Sequence, residues 1–189
     1  MTTTRDRLVD GMRQSLRARG FGNTSMKDML TSTGVSSGSM YHSFPGGKDE
    51  LAAAAVRDSG LHAAEQIAAV FAGADTVNRG IGMIFNALIA EVRENKFALG
   101  CPIGVPATEA VGVSERIQEA SAEVLDAWTE AYAQALVNEG WEPTAATELA
   151  TLIVITYEGS LTVARATKST APIEHALAFL LKHISSRRV

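Results

Sequence analysis

The 189-residue sequence has little of what marks secreted, membrane-spanning or metal-binding chains. Its one cysteine, Cys101, cannot form an internal disulfide, and no run of about 18 uninterrupted apolar residues could span a membrane. The N-terminus leads into no apolar segment of the kind that a signal peptide carries. The four histidines are scattered along the sequence, without the spacing of a metal site. We therefore expect a cytoplasmic protein with no membrane partner, no metal and no cofactor.

Runs of β-branched residues are also scarce, which argues against a fold built of strands. Alanine is abundant, 46% of the residues are hydrophobic and 20% are charged, as in a folded helical protein. Apolar residues recur at three- and four-residue spacing along most of the chain. We predict an all-α fold of about nine helices, with an N-terminal three-helix head and a C-terminal helical body.

The net charge of −4 hides an asymmetry along the chain. Residues 1–48 hold seven Lys or Arg and three Asp residues, a net +4, whereas residues 49–189 hold ten basic and eighteen acidic residues, a net −8. A basic end on an acidic chain suits local contact with phosphates, with the rest of the protein kept off nucleic acid. Chance is the alternative explanation, because four charges are a small bias.

The N-terminal pattern predicts three helices with tight connections. A first helix over about 4–19 carries a buried stripe at four-residue spacing. A second helix begins near Thr24, and Gly34 makes a turn after it. Ser36 caps a third helix that ends near Phe44. Two short helices joined by such a turn are typical of a helix-turn-helix, whose second helix lies in the DNA major groove.

The third predicted helix carries side chains suited to DNA. Short hydroxyl groups can reach base edges, a glycine permits close backbone approach, and an aromatic pair can reach phosphate oxygens. A threonine and a lysine, at the starts of the helices before and after it, would contact phosphates. The predicted DNA-binding residues are Thr24, Ser36, Ser37, Gly38, Ser39, Tyr41, His42 and Lys48. The alternative is an ordinary helical hairpin with Tyr41 and Phe44 in its core.

Residues 8–51 resemble the N-terminal domain of the TetR family of bacterial repressors. The resemblance rests on Gly20-Phe21, Thr24, Met26 to Leu30, Gly34-Val35-Ser36, Gly38, Tyr41, Phe44, Lys48 and Leu51. One departure is local: the chain has one more residue before Lys48 than the family commonly has. The resemblance implies a DNA-binding transcriptional repressor.

A finer resemblance is to the LmrA/YxaF branch of that family. It rests on Phe-Pro-Gly-Gly-Lys-Asp-Glu-Leu at 44–51, Gly-Cys-Pro-Ile-Gly at 100–104 and a tryptophan in the seventh helix. Members of the branch respond to small aromatic effectors such as flavonoids and regulate drug-export or dioxygenase genes, which implies a small aromatic ligand here. The prolines and glycines at 100–106 are also expected to exclude regular helix.

The family resemblance implies an inducer cavity among the fourth to eighth helices. Trp128 and Tyr132 lie one turn apart on a predicted helix over about 114–138 and can share an aromatic wall. The predicted ligand-binding residues are Ile84, Leu88, Phe97, Cys101, Ile103, Trp128, Tyr132 and Tyr157. The alternative for each is plain core, and for Cys101 it is a buried inert thiol or a redox sensor.

The last two helices suit a homodimer. Gly159, Ser160 and Ala164 permit close approach of a partner helix, and TetR relatives dimerise through these two helices. A dimer built on about 144–185 would match a palindromic DNA operator. We predict a DNA-binding domain over 1–47, with the start of the fourth helix to about 64, and a ligand-binding and dimerisation domain over 48–189.

No Ser-His-Asp arrangement or carboxylate pair suggests catalysis, so we expect no enzyme and no catalytic residues. We interpret the chain as a TetR-like repressor that a small, aromatic ligand releases from double-stranded operator DNA. The alternative is a helical small-molecule-binding protein with a vestigial DNA head, against which Gly38, Tyr41 and Lys48 argue. A helical enzyme is a more distant alternative.

Overall fold

Residues 3–186 of the chain are described by a computed structural model. Within this range the chain forms nine α-helices and no strand, which confirms the predicted all-α fold. The helices are α1 (Thr4–Arg19), α2 (Met26–Thr33), α3 (Ser37–Ser43), α4 (Gly47–Gly73), α5 (Val77–Glu94), α6 (Gly104–Glu109), α7 (Glu115–Asn138), α8 (Pro143–Thr167) and α9 (Ala171–Ser186).

Side-chain caps explain where several helices begin. Thr3 and Asp6 form a reciprocal capping box at α1, with the Asp6 N–H donating to Thr3 Oγ1 at 3.1 Å. At α8 the Glu142 carboxylate accepts from the Ala145 N–H at 3.0 Å. The backbone hydrogen bonds from Thr144 and Ala145 hold the pKa of Glu142 below its usual value. These local contacts account for the agreement of predicted and observed helix starts.

One expectation about local structure was wrong. The prolines and glycines at 100–106 do not exclude regular helix, because α6 begins at Gly104. Pro106 is the third residue of α6, where a helix needs no N–H donor, so the ring is tolerated. The Ala107 N–H closes the first turn by donating to Ile103 O at 2.8 Å.

The described chain divides into two compact units. The first comprises residues 3–62 and 101–125, and its core is built on the fully buried Leu8, Met12 and Leu16 of α1. Within this unit α1 packs on α2, α3 and α6. The segment 101–125 thus belongs to the same unit as α1–α3, while the predicted functional division at 47/48 stays a prediction.

The second unit comprises residues 63–100 and 126–186, in which α5, α8 and α9 pack on one another. Its core includes the fully buried Ile81, Phe85 and Ile153. Among the described helices, α8 alone is long and apolar enough to cross a membrane by length and composition. Because α8 buries one face against α5 and α9, we interpret it as a core helix.

Candidate nucleic-acid interface and ligand cavity

Helix α3 exposes the residues predicted to face DNA. The exposed residues are Ser36, Ser37, Gly38, Ser39, Tyr41 and His42, of which Tyr41 is 57% exposed. On the opposite side of α3, Met40 and Phe44 pack into the core, and each is 2% exposed. The alternative of a hairpin with Tyr41 in the core therefore does not describe this surface, although Phe44 is a core residue.

A tight turn and a cap hold α3 against α2. Gly34 adopts the left-handed conformation with φ of 63°, which favours glycine, and Val35 is buried behind it. Ser36 Oγ accepts from the Ser39 N–H at 3.1 Å and lies 2.9 Å from Ser39 Oγ. The two hydroxyl groups thus bond each other and the helix start, while Ser37 and Gly38 face solvent.

Thr24 and Lys48 instead contact the turn between α1 and α2, which comprises residues 20–24. Thr24 is 4% exposed, and its hydroxyl donates to Gly20 O at 2.6 Å. The Lys48 ammonium donates to Phe21 O at 2.7 Å and lies 4.4 Å from the centre of the Phe21 ring. An ammonium group has three donors, and the bond to Phe21 O uses one of them.

A second contact on this turn was missed by the sequence analysis. The Gly22 N–H donates to Glu109 Oε2 at 3.1 Å, and the Phe21 N–H donates to the same oxygen. Gly20, with φ of 77°, has room for the carboxylate, because a Cβ there would lie 2.6 Å from Glu109 Oε2. Glu109 is the last residue of α6, and no local pattern links it to a turn 88 residues earlier.

The second unit contains a cavity of about 230 Å³ between its helices. Five of the predicted ligand-binding residues line it: Ile84, Leu88, Trp128, Tyr132 and Tyr157. The Trp128 and Tyr157 rings meet edge to face with centroids 6.2 Å apart, so they form one aromatic wall. The lining also contains Gln66 and Glu91, two polar residues that the sequence analysis did not single out.

Tyr132 keeps its proton in this environment. Burial, reinforced by the charge of Glu158, raises the pKa of the Tyr132 phenol. The Tyr132 ring also packs edge to face on Phe71, with centroids 5.7 Å apart. The lining therefore includes a tyrosine that stays protonated and two further aromatic residues, with no Lys, Arg or His among the lining residues.

Three predicted ligand-binding residues do not line this cavity. Phe97 is half-buried with φ of 62°, and its N–H donates to Val92 O at 2.8 Å after the end of α5. Cys101 and Ile103 are buried within the first unit, where the Ile103 N–H donates to Cys101 Sγ at 3.3 Å. Cys101 and Ile103 thus have a packing role in that unit.

Comparison with known families now identifies the chain's relatives. Residues 8–55 match the family described as bacterial regulatory proteins of the tetR family, and residues 78–178 match the C-terminal domain of LmrA/YxaF-like transcriptional regulators. The chain belongs to the TetR family of transcriptional regulators, in its LmrA/YxaF branch. The TetR family match includes α2 and α3, and the branch match includes α6 to α8 in full and all of α5 except its first residue, so both predicted resemblances are confirmed.

Individual relatives agree with this family. The chain is 32% identical to the uncharacterised HTH-type transcriptional regulator Rv0196 of Mycobacterium tuberculosis, over 92% of this chain and 90% of that protein. It is 25% identical to the HTH-type transcriptional regulator LmrA of Bacillus subtilis, over 91% and 92% of the two chains. The TetR fold recurs in the reduced form of E. coli NemR, with a TM-score of 0.81, 21% identity and coverage of 94% and 95%.

Proposed function

We propose that this TetR-family regulator represses transcription by binding a palindromic operator as a homodimer in the bacterial cytoplasm. In this proposal a small aromatic ligand in the cavity of the second unit releases the protein from DNA. The observation that carries it is the exposed polar face of α3, seated on the buried Met40 and Phe44. A short helix with hydroxyl, phenol and imidazole groups facing solvent has the size and chemistry to read a major groove.

The exposed apolar surface of α8 supports the dimer. Leu152, Ile155 and Val163 are 53%, 59% and 48% exposed and fall within one face of the helix. Gly159 lies on the same face, and a Cβ there would meet no atom within 4 Å. Phe179 of α9 is 68% exposed as well. Water contact with so many large apolar side chains is unfavourable, and a second copy of the chain would remove it.

The cavity supports a small ligand with an aromatic ring. Its volume of about 230 Å³ lies below the roughly 300–1,000 Å³ of drug-sized pockets. Edge and face contacts with Trp128 and Tyr157 would favour a flat ring, and the Tyr132 phenol can donate to an acceptor on the ligand. Release of DNA then requires that the ligand bind the DNA-free state more tightly than the DNA-bound state.

Binding to the DNA upstream of the chain's own gene tests the proposal. Fluorescence anisotropy at several salt concentrations, with excess nonspecific DNA as competitor, should give a specific complex whose affinity falls steeply with salt. Deletion of the gene should raise transcription from the same promoter. A helical ligand-binding protein with a vestigial head would bind aromatic ligands and show no specific complex. Lower transcription after deletion would contradict repression.

A further inference from the structure

The turn between α1 and α2 is held from two sides by groups of opposite charge. On one side the Glu109 carboxylate accepts from the Phe21 and Gly22 N–H groups. On the other side the Lys48 ammonium donates to Phe21 O at 2.7 Å. The N–H and C=O groups of Phe21 are therefore both bonded to charged side chains, and Phe21 is 6% exposed. Such charge-assisted bonds are about twice as strong as bonds between neutral groups.

This turn sets where α2 begins. The Thr24 hydroxyl bonds Gly20 O, and the Thr24 N–H donates to Phe21 O at 3.2 Å. Ser25 follows as the cap of α2, with its oxygen accepting from the Asp28 N–H at 3.3 Å. Because only a tight turn joins α2 to α3, a displaced α2 start displaces the exposed face of α3.

We propose that Glu109 is a positioning residue for DNA binding, which anchors the turn at residues 20–24 to α6. α2 and α3 then take up their DNA-binding arrangement only while the carboxylate is in place. The proposal rests on the proposed DNA-binding function. It adds a residue of α6, which lies outside the helix-turn-helix, to the groups that determine DNA affinity.

The test uses the full chain and two readouts. Amide hydrogen exchange, followed by NMR, reports the Phe21 and Gly22 N–H groups, and anisotropy reports affinity for the upstream DNA. In Glu109→Ala both N–H groups lose their acceptor, so we expect faster exchange at both and a roughly tenfold weaker DNA complex. The matched control, Glu119→Ala, removes an exposed carboxylate of α7 in the same unit and should change neither readout.

Glu109→Gln supplies the conservative rescue. Both N–H groups donate to the same carboxylate oxygen, and the glutamine carbonyl oxygen can take that position. We expect DNA affinity within about threefold of the wild-type value, since both hydrogen bonds remain and only the negative charge of the acceptor is lost. A residue that only stabilised the fold would lower the unfolding temperature and leave the affinity of the folded protein unchanged.

Two results would overturn the proposal: unchanged exchange at Phe21 and Gly22 in Glu109→Ala, or faster exchange with wild-type DNA affinity. If Glu109→Ala does not fold, Glu109→Asp, which withdraws the carboxylate by one methylene group, carries the same expectations. Absence of DNA binding by the wild-type protein would count against the proposed function. The exchange measurement is independent of DNA, so the two failures are distinguishable.

Discussion

Replacement of Gly60 by alanine should destabilise the protein, although alanine is the better helix former. Gly60 lies within α4, and a Cβ at this position would meet the side chain of Val124 on α7. The atom nearest to this added Cβ is Val124 Cγ1, and Val124 Cγ2 and Cβ would lie 2.5 Å and 2.8 Å from it. Rotation of the valine side chain moves the methyl groups but leaves its Cβ in place, so the backbones of the two helices must separate.

Two opposing terms set the size of the effect. Alanine gains about 1 kcal/mol of helix propensity over glycine. Overpacking of a close-packed core costs about 1–3 kcal/mol, and the Cβ contact with Val124 places this site near the upper end. We expect a net loss of roughly 1–2 kcal/mol in the free energy of unfolding.

A double-mutant cycle measured by urea unfolding at fixed protein concentration tests this reasoning. Val124 is 0% exposed, so Val124→Ala alone should cost about 2–3 kcal/mol through lost burial and a cavity. In the double variant the new methyl group fills part of that cavity. The combined loss should therefore be at least about 1 kcal/mol smaller than the sum of the single losses. Additive losses, or a more stable Gly60→Ala protein, would refute the packing account.

Further predictions concern the interface, the cavity and the dimer. Tyr41→Phe should weaken operator binding several-fold without lowering the unfolding temperature, because Tyr41 is 57% exposed. Unchanged binding would show that the hydroxyl makes no contact with DNA. Phe179→Arg should convert a dimer of about twice 20.0 kDa into a monomer, as measured by light scattering. An unchanged mass would show that Phe179 lies outside the dimer interface. In a Trp141→Phe protein, an aromatic ligand that lowers DNA affinity should quench Trp128 fluorescence. Because burial raises the pKa of Tyr132, the unfolded chain loses this proton first, at pH about 10, and stability should fall above that pH. Tyr132→Phe should make that fall shallower in urea unfolding.

Much of the fold could be predicted because its determinants are local. The start of α8 at Pro143 and the end of α2 just before Gly34 depend on residues within one turn of the boundary. α6 was missed since proline and glycine were interpreted as breakers over the whole of 100–106, whereas a proline in the first turn is compatible with helix.

The candidate sites were predicted unevenly for a physical reason. The exposed face of α3 follows from a short helix whose packed side carries Met40, with Phe44 as the buried residue that follows the helix. The contact of Glu109 with the turn at Phe21 joins residues 88 apart, and no sequence period encodes it. Gln66 and Glu91 line the cavity because of how α4 and α5 are rotated within the second unit, which helical periodicity alone does not determine.

In α3 the residues that fix the helix differ from the residues that face solvent. Ser36 caps the start of the helix, and Met40 and Phe44 pack its buried side. Ser37 and Gly38 face solvent. Changes at positions 37 and 38 therefore leave the helix cap and the core intact. In the proposed function these two residues read the operator, so their exchange is expected to change operator preference at little cost in stability.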